Sequence, residues 1–294
     1  MNKSANLFGG DWTTEKLERV RKYLVAYATI MNKQRFRFAY IDAFAGTGYM
    51  TAKQEENSQE LLLPELADQE AQRFADGSAR IALQVQPRFT KYIFVEQSKT
   101  KYRKLQKLKE EFPLLAEDIT IEKADANDYI KHLCERDWTG NRAVMFLDPF
   151  GMQVRWETLV AIAQTKAIDL WLLFPLGVAV NRMIKTNAEI PEQWRQKLDD
   201  LFGSADWFDA FYRKKVSKGL FDEEILFEKI SDFDSIGQYF TNRLKSIFAG
   251  VAENPLPLFN SRNNPLYLLC FAAGNERGAK TAVKIANDVL KRKL

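Results

Sequence analysis

Five short apolar runs recur over residues 38–175, and four of them end in or just before an acid. Phe38-Ala39-Tyr40-Ile41 runs into Asp42, and Lys91-Tyr92-Ile93-Phe94-Val95 runs into Glu96. The weaker Ile119-Thr120-Ile121-Glu122 leads through Lys123-Ala124 to Asp125, and Ala143-Val144-Met145-Phe146-Leu147 runs into Asp148. The fifth, residues 167–175, carries Asp169 inside it. Runs this short and this apolar predict strands buried on both faces, as in a parallel sheet covered by helices. Helical segments between them, 99–112 and 154–164, complete a β-α alternation. The fold class expected is therefore α/β, a doubly wound, Rossmann-like and mostly parallel sheet.

The flanks follow other periods. Leu17, Val20, Leu24, Tyr27 and Met31 recur at helical spacing. Residues 1–37 thus read as an amphipathic helix packed on the core, its outer side basic through Lys16, Arg19, Arg21 and Lys22. Residues 51–77 are polar and longer than an ordinary connection, which suggests a mobile loop over a ligand mouth. Ser78 then reads as the cap of a helix reaching toward Gln86, or as a ligand contact. In residues 181–254 Pro191 opens a helix that Gly203 closes, and Trp207, Phe208, Phe211 and Tyr212 follow. This stretch is expected to be a helical insertion and a candidate substrate-recognition subdomain, its aromatics core or a stacking surface for bases. Residues 256–260 and 266–273 form a hairpin around Ser261-Arg262-Asn263-Asn264, which makes the last strand antiparallel, and a helix over 276–291 closes the chain. The division expected is residues 1–37, a core of 38–180 and 255–294, and the insertion 181–254.

The first acid opens the most informative motif, Asp42-Ala43-Phe44-Ala45-Gly46-Thr47-Gly48. A strand ending in an acid and a glycine turn builds a nucleotide-sized crevice at the carboxyl edge of a sheet. Gly46 and Gly48 let main-chain N–H groups approach a ligand closely. A dinucleotide fingerprint wants a third glycine where this chain has Thr51. A phosphate-binding P-loop needs a lysine that Gly48-Tyr49-Met50 does not supply. The remaining common user of such a turn is a methyltransferase that binds S-adenosylmethionine. Strand-end acids can also do no more than cap the helices that follow them.

The ordered set of that turn, Val95-Glu96, Ala124-Asp125-Ala126 and Phe146-Leu147-Asp148-Pro149-Phe150-Gly151 resembles the class I S-adenosylmethionine-dependent methyltransferases over residues 38–175. A longer string from Phe146 to Pro175 looks like a narrower family, the three-Cys-motif partner proteins. The resemblance implies S-adenosylmethionine as cofactor. It places Asp42 near the amino-acid head, directly or through water, with the backbone of Phe44, Ala45, Gly46 and Gly48 against the ligand. Glu96 would accept the ribose hydroxyls, since an ionised carboxylate offers two acceptor oxygens. Asp125 would take the adenine amino group beside the Ala126 N–H. Asp148, Pro149 and Phe150 resemble the Asp/Asn-Pro-Pro-Tyr/Phe signature of enzymes that methylate base amines, with one proline missing. Some tRNA guanine-N2 methyltransferases instead carry Asp-Pro-Phe-Gly. Under this resemblance the Asp148 carboxylate and the Pro149 carbonyl would accept the two N–H groups of an exocyclic amine while Phe150 stacks on the ring. Asp-Pro-x-Gly is also an ordinary turn. The narrower family name implies a companion bearing three cysteines. With only Cys134 and Cys270 this chain is not that companion.

Composition trims the alternatives. A hydrophobic fraction of 46% with 13% aromatic residues supplies a large core. No apolar run reaches the ~18 residues that span a bilayer, and the polar start of the chain lacks a signal core, so a cytoplasmic location is expected. Two distant cysteines and one histidine, His132, make no zinc site, and His132 falls on a surface helix. Asp169, inside its apolar strand, is expected to be structural. The net charge of +4 does not by itself indicate nucleic acid. Basic spots at the amino terminus, at Arg213-Lys214-Lys215 with Lys218, and at Lys291-Arg292-Lys293 would attract phosphates or simply be solvated. The expectation is a methyltransferase for an exocyclic base amine in DNA or RNA. Two other readings stay open. One is a methyltransferase for protein, peptide or small molecule; the other is a cofactor-binding or inactive subunit serving a partner.

Overall fold

A computed structural model describes residues 12–47, 77–218, 223–260 and 262–291. Helix α1 (Trp12–Met31) leads into β1 (Arg37–Asp42). Then come α2 (Ser78–Leu83), β2 (Lys91–Val95), α3 (Lys99–Leu105), α4 (Leu108–Glu111), β3 (Ile119–Glu122) and α5 (Ala126–Cys134). They are followed by β4 (Asn141–Leu147), α6 (Trp156–Gln164) and β5 (Ile168–Phe174). A π-helical turn (Leu176–Val180) runs into α7 (Asn181–Met183), and α8 (Glu192–Phe202), α9 (Trp207–Phe211), β6 (Tyr212–Lys218), β7 (Glu223–Lys229) and α10 (Phe233–Lys245) follow. The chain closes with β8 (Gly250–Val251), β9 (Leu256–Phe259), β10 (Pro265–Ala273) and α11 (Ala279–Lys291).

Eight strands form one sheet in the order β3-β2-β1-β4-β5-β10-β8, with β9 also on β10. β1 to β5 are mutually parallel where they pair, and β10 runs antiparallel to β5. The chain thus winds outward from β1 in one direction and from β4 in the other, so the switch point lies between them. At such a point the carboxyl ends of the strands open a crevice. Asp42 lies in register with Phe94 on β2 and Phe146 on β4, which aligns the ends of the three strands.

Alternation along each strand sends side chains to two cores. Phe38, Tyr40, Phe94, Val144, Phe146, Trp171 and Leu173 face α1, α2 and α11 through Leu17, Tyr23, Leu24, Ala79, Leu83 and Val289. Ile41, Val95, Met145, Leu147, Leu170 and Leu172 face α5 and α6 through Ile130, Leu133, Leu159 and Ile162. Each such side chain, fully removed from water, contributes about 1.5–3 kcal/mol before entropy is charged against it. This double burial is why the strands read as continuous apolar runs.

Three expectations are corrected. The outer side of α1 is not uniformly basic: Lys16 and Arg19 are buried, and Arg19 donates to the Val289 carbonyl, while Arg21 is exposed and pairs with Glu18 at 2.9 Å. The insertion is not wholly helical. Residues 212–218 and 223–229 form the antiparallel ribbon β6–β7, where Tyr212, Val216, Ile225 and Phe227 supply the β-branched and aromatic residues that suit a pleated ribbon. Finally, β8 lies within 181–254 yet pairs with β10 in the main sheet. Pro191 and Gly203 do bound α8, Gly203 ending it at φ 72° in the left-handed region. Trp207, Phe211 and Tyr212 are core, packed with Phe202 and Phe240, whereas Phe208 is half-buried. Asp169 is structural, accepting from the Tyr23 hydroxyl at 2.8 Å and the Gly274 N–H.

Candidate active site

The ends of β1 and β4 and their following turns flank the switch point, with the end of β2 beside β1 and that of β3 beyond it. The turn after β1 is pinned on both sides: Ala43 N–H donates to the Phe146 carbonyl of β4, and Ala45 N–H donates to the Val95 carbonyl of β2 at 3.1 Å. Phe44 N–H folds back onto the Asp42 carboxylate at 3.2 Å. Gly46 turns the chain with φ 62°, a conformation that costs a residue with a Cβ about 1–2 kcal/mol. Phe44 is half-buried and Ala45 fully buried. Gly48 and residues 51–76 lie outside the described residues, as does any loop role for them.

Asp42 is fully buried. Its Oδ2 accepts from the Ser78 hydroxyl at 2.6 Å and from the Tyr40 hydroxyl at 3.4 Å. Ser78 therefore does not cap α2; the residue at the cap position is Gly77, and Ser78 ties α2 to β1 instead. Burial, reinforced by the nearby Asp148 charge, raises the Asp42 carboxyl from 3.8 to about 7, while Ser78, the Phe44 N–H and Lys16 pull it back. The carboxylate is thus turned inward, where it builds the turn.

The other strand-end acids split in behaviour. Glu96 is half-buried beyond β2, its Oε1 accepting from Ser98 N–H at 2.7 Å while its own N–H donates to Glu122 O. Asp125 caps α5, Oδ1 accepting from Asn127 N–H at 2.9 Å and Asp128 N–H at 3.2 Å, with Ala126 buried beside it. The structure shows the capping geometry for Asp125.

Asp148 follows β4 and is 8% exposed. It makes an ion pair with Lys16 from α1, which is 0% exposed and also lies 5.5 Å from the Trp12 ring centroid and 5.7 Å from that of Phe146. Lys16 is the group the sequence reading missed. Pro149 is buried and Phe150 half-buried, the Phe150 N–H donating to Gln153 Oε1 at 2.9 Å, and Gly151 turns the chain at φ 66°. The loop is held from α5 by Asn127, a second residue not anticipated. Its Nδ2 donates to the Gln153 carbonyl at 2.8 Å, and its Oδ1 accepts from Arg155 N–H and the Thr158 hydroxyl. The amino group of Lys101 on α3 stands 4.9 Å from the Phe150 ring centroid.

These residues suit an adenosyl group carrying an amino-acid head. Carboxylates end three adjacent parallel strands, so they span about 10 Å at ~4.8 Å per strand, with the glycine turn, buried at Ala45, Gly46 and Thr47, after the middle one. His132, 80% exposed, lies outside this constellation, and no cluster of His, Cys, Asp and Glu among the described residues is placed to hold a metal ion. No described helix is long and apolar enough to cross a membrane.

No protein-family model matches the chain, and no curated protein matches it. Among solved structures, the chain is similar to protein LPL1258 of Legionella pneumophila at 15% identity, covering 96% of this chain and 92% of that one with a TM-score of 0.48. A precorrin-6y C5,15-methyltransferase of Geobacter metallireducens gives 10% identity, 71% and 82% coverage and 0.30. A spermidine synthase in complex with the transition-state analogue AdoDATO gives 9%, 96% and 73%, and 0.39. At these scores the likenesses carry no argument. Strand order and the antiparallel last strand give this chain an α/β fold with a doubly wound, Rossmann-like, mostly parallel sheet.

Proposed function

We propose that the protein is an S-adenosylmethionine-dependent methyltransferase that acts on an exocyclic amine of a nucleobase in DNA or RNA. The observation that carries the reading is the junction of two turns at one switch point: the Asp42–Gly46 turn, bonded to β2 and β4, and the Asp148-Pro149-Phe150 loop that follows β4. The cofactor, when bound, supplies an electrophilic methyl group. The Gly46 turn would present backbone to it, Glu96 would take the ribose hydroxyls, and the α5 amino terminus with Asp125 and Ala126 would border the adenine. Asp42 acts through the turn and through Ser78. On the acceptor side the enzyme mainly positions a nucleophile and excludes water. Asp148 and the Pro149 carbonyl accept the amine N–H groups, Phe150 stacks on the ring, and Asn127 holds the loop. Lys16 supplies the counter-charge that a buried carboxylate requires.

The experiment is transfer of tritiated methyl from S-adenosylmethionine to mixed RNA or DNA, comparing wild type with Asp148→Asn. Incorporation that disappears in a variant still binding cofactor supports the proposal. Full activity in Asp148→Asn overturns the role given to that residue.

One observation favours a second reading. Lys16 pairs with the carboxylate that an acceptor amine would need, as expected of a cofactor-binding subunit whose chemistry is silent until a partner displaces α1. The resemblance to three-Cys-motif partner proteins names the class of such a companion. This chain's own thiols are poor candidates for shared chemistry, burial pushing Cys134 up to about 12 and Cys270 higher still. Cofactor binding without turnover in wild type, restored by adding the companion, would select this reading.

A further inference from the structure

The segment leaving β2 carries an unusual charge. From Lys99 to Lys109 it contains Lys99, Lys101, Arg103, Lys104, Lys107 and Lys109 and no acid, so eleven residues hold six positive charges in a chain whose net charge is +4. Helical hydrogen bonding continues from α3 into α4, with Gln106 N–H on the Tyr102 carbonyl, Lys107 N–H on the Lys104 carbonyl and Glu111 N–H on the Lys107 carbonyl. Lys99, Arg103 and Lys107 fall four apart, on one face, over about 12 Å at 1.5 Å per residue. All three are exposed, and neither they nor Lys109 have an ion-pair partner among the described residues. Leu105 and Leu108 are fully buried on the opposite face, which fixes the helix to the core.

Complementing the helix dipole does not account for this charge. Cations suit the last turn of a helix, which explains Arg103 and Lys104, but Lys99 and Lys101 occupy the first turn, where the dipole disfavours them. The first turn is also the part of the helix nearest the candidate site, since Lys101 lies against the Phe150 ring. Lys101 itself lies on the side of α3 that carries Leu105, so the exposed row is Lys99, Arg103 and Lys107 on the outer face, and a row of exposed cations complements a row of fixed anions.

We infer that the outer face of α3–α4 is the track for the sugar-phosphate backbone of a nucleic-acid strand that serves as substrate. The choice of polymer rests on the function proposed above; the anionic, linear character of the ligand rests on the helix alone. Twelve ångströms spans about three to four nucleotides at ~3.4 Å each.

The test is fluorescence anisotropy of a fluorescein-labelled single-stranded RNA 20-mer and the DNA of the same sequence, between 50 and 200 mM salt. Wild type is compared with Lys99→Glu/Arg103→Glu/Lys107→Glu and with Lys214→Glu/Lys215→Glu on the β6–β7 ribbon. Loss of three phosphate contacts predicts about tenfold or greater weakening in the α3–α4 variant, and a log K against log salt slope shallower by about 2, at ~0.7 per single-strand contact. The ribbon variant keeps wild-type binding. Unchanged affinity in the α3–α4 variant, loss confined to the ribbon variant, or no binding of either strand by wild type overturns the inference. Relative affinity for RNA and DNA identifies the polymer. Thermal melting and S-adenosylmethionine titration of the same variants show that they are folded, and because no arm depends on methyl transfer, a failure of the enzyme reading stays distinguishable from a failure of this one.

Discussion

Replacing Lys16 by methionine is the most revealing single perturbation of this structure. The substitution keeps the length of the side chain among Trp12, Phe146 and their neighbours but leaves Asp148, 8% exposed, without its ammonium, close to a second buried carboxyl at Asp42. Breaking a buried pair from one side costs about 3–5 kcal/mol, because the remaining charge is stranded. Replacing both partners by neutral groups is far less costly, so Lys16→Met/Asp148→Asn should lie within ~1–2 kcal/mol of wild type. The magnitude is read from urea midpoints of the four members of the double-mutant cycle at pH 8. The cycle should show a coupling energy of at least ~2 kcal/mol. If Lys16→Met costs less than ~1 kcal/mol, or if the double variant loses the sum of the singles, the pair is not a buried, coupled unit and the account of the site fails.

Asp42 links stability to pH. Its carboxyl is raised from 3.8 to about 7, so between about pH 4 and 7 the folded protein holds a proton that the unfolded chain has released. Stability therefore falls as pH rises through that window, by an amount on the order of 4 kcal/mol for this group. Asp42→Asn should flatten most of that slope in unfolding titrations at pH 5 and pH 8, leaving the smaller contribution of Asp169, raised to about 6. An unaltered slope would show that Asp42 is ordinary in the folded state. Gly203→Ala should cost about 2–4 kcal/mol, combining left-handed strain with a Cβ driven into the Trp156 ring. A melting temperature within 1–2 °C of wild type would refute that, since ~2–4 °C accompanies each kcal/mol in a chain of this size.

The sheet was legible because strands buried on both faces cannot alternate, and continuous apolar runs such as residues 143–147 stand out against amphipathic helices. The acids at strand ends followed from the same runs. What escaped was long-range or short. Lys16 lies four residues after Trp12 and four before Val20, inside the stripe of α1 that is buried, yet a lone lysine reads as outward-facing because its usual place is solvent. Only the tertiary placement of Asp148, 132 residues away, reveals its partner. The bond between Ser78 and Asp42 spans 36 residues in the same way. The β6–β7 ribbon lacks a period-two signal, since Arg213-Lys214-Lys215 separate Tyr212 from Val216, and it sits beside helical aromatics. The charge of residues 99–109 was in plain view and acquired meaning only when Lys99, Arg103 and Lys107 were found exposed on one face of α3–α4.

The most direct test of the central claim, a cofactor crevice at the switch point between β1 and β4, is calorimetric titration of the purified protein with S-adenosylmethionine beside the Gly46→Val variant. Saturable one-to-one binding by wild type that is lost in the variant is the predicted result, because a branched Cβ at φ 62° displaces the turn that faces the ligand. Undiminished binding in Gly46→Val, or none in wild type, would contradict the account.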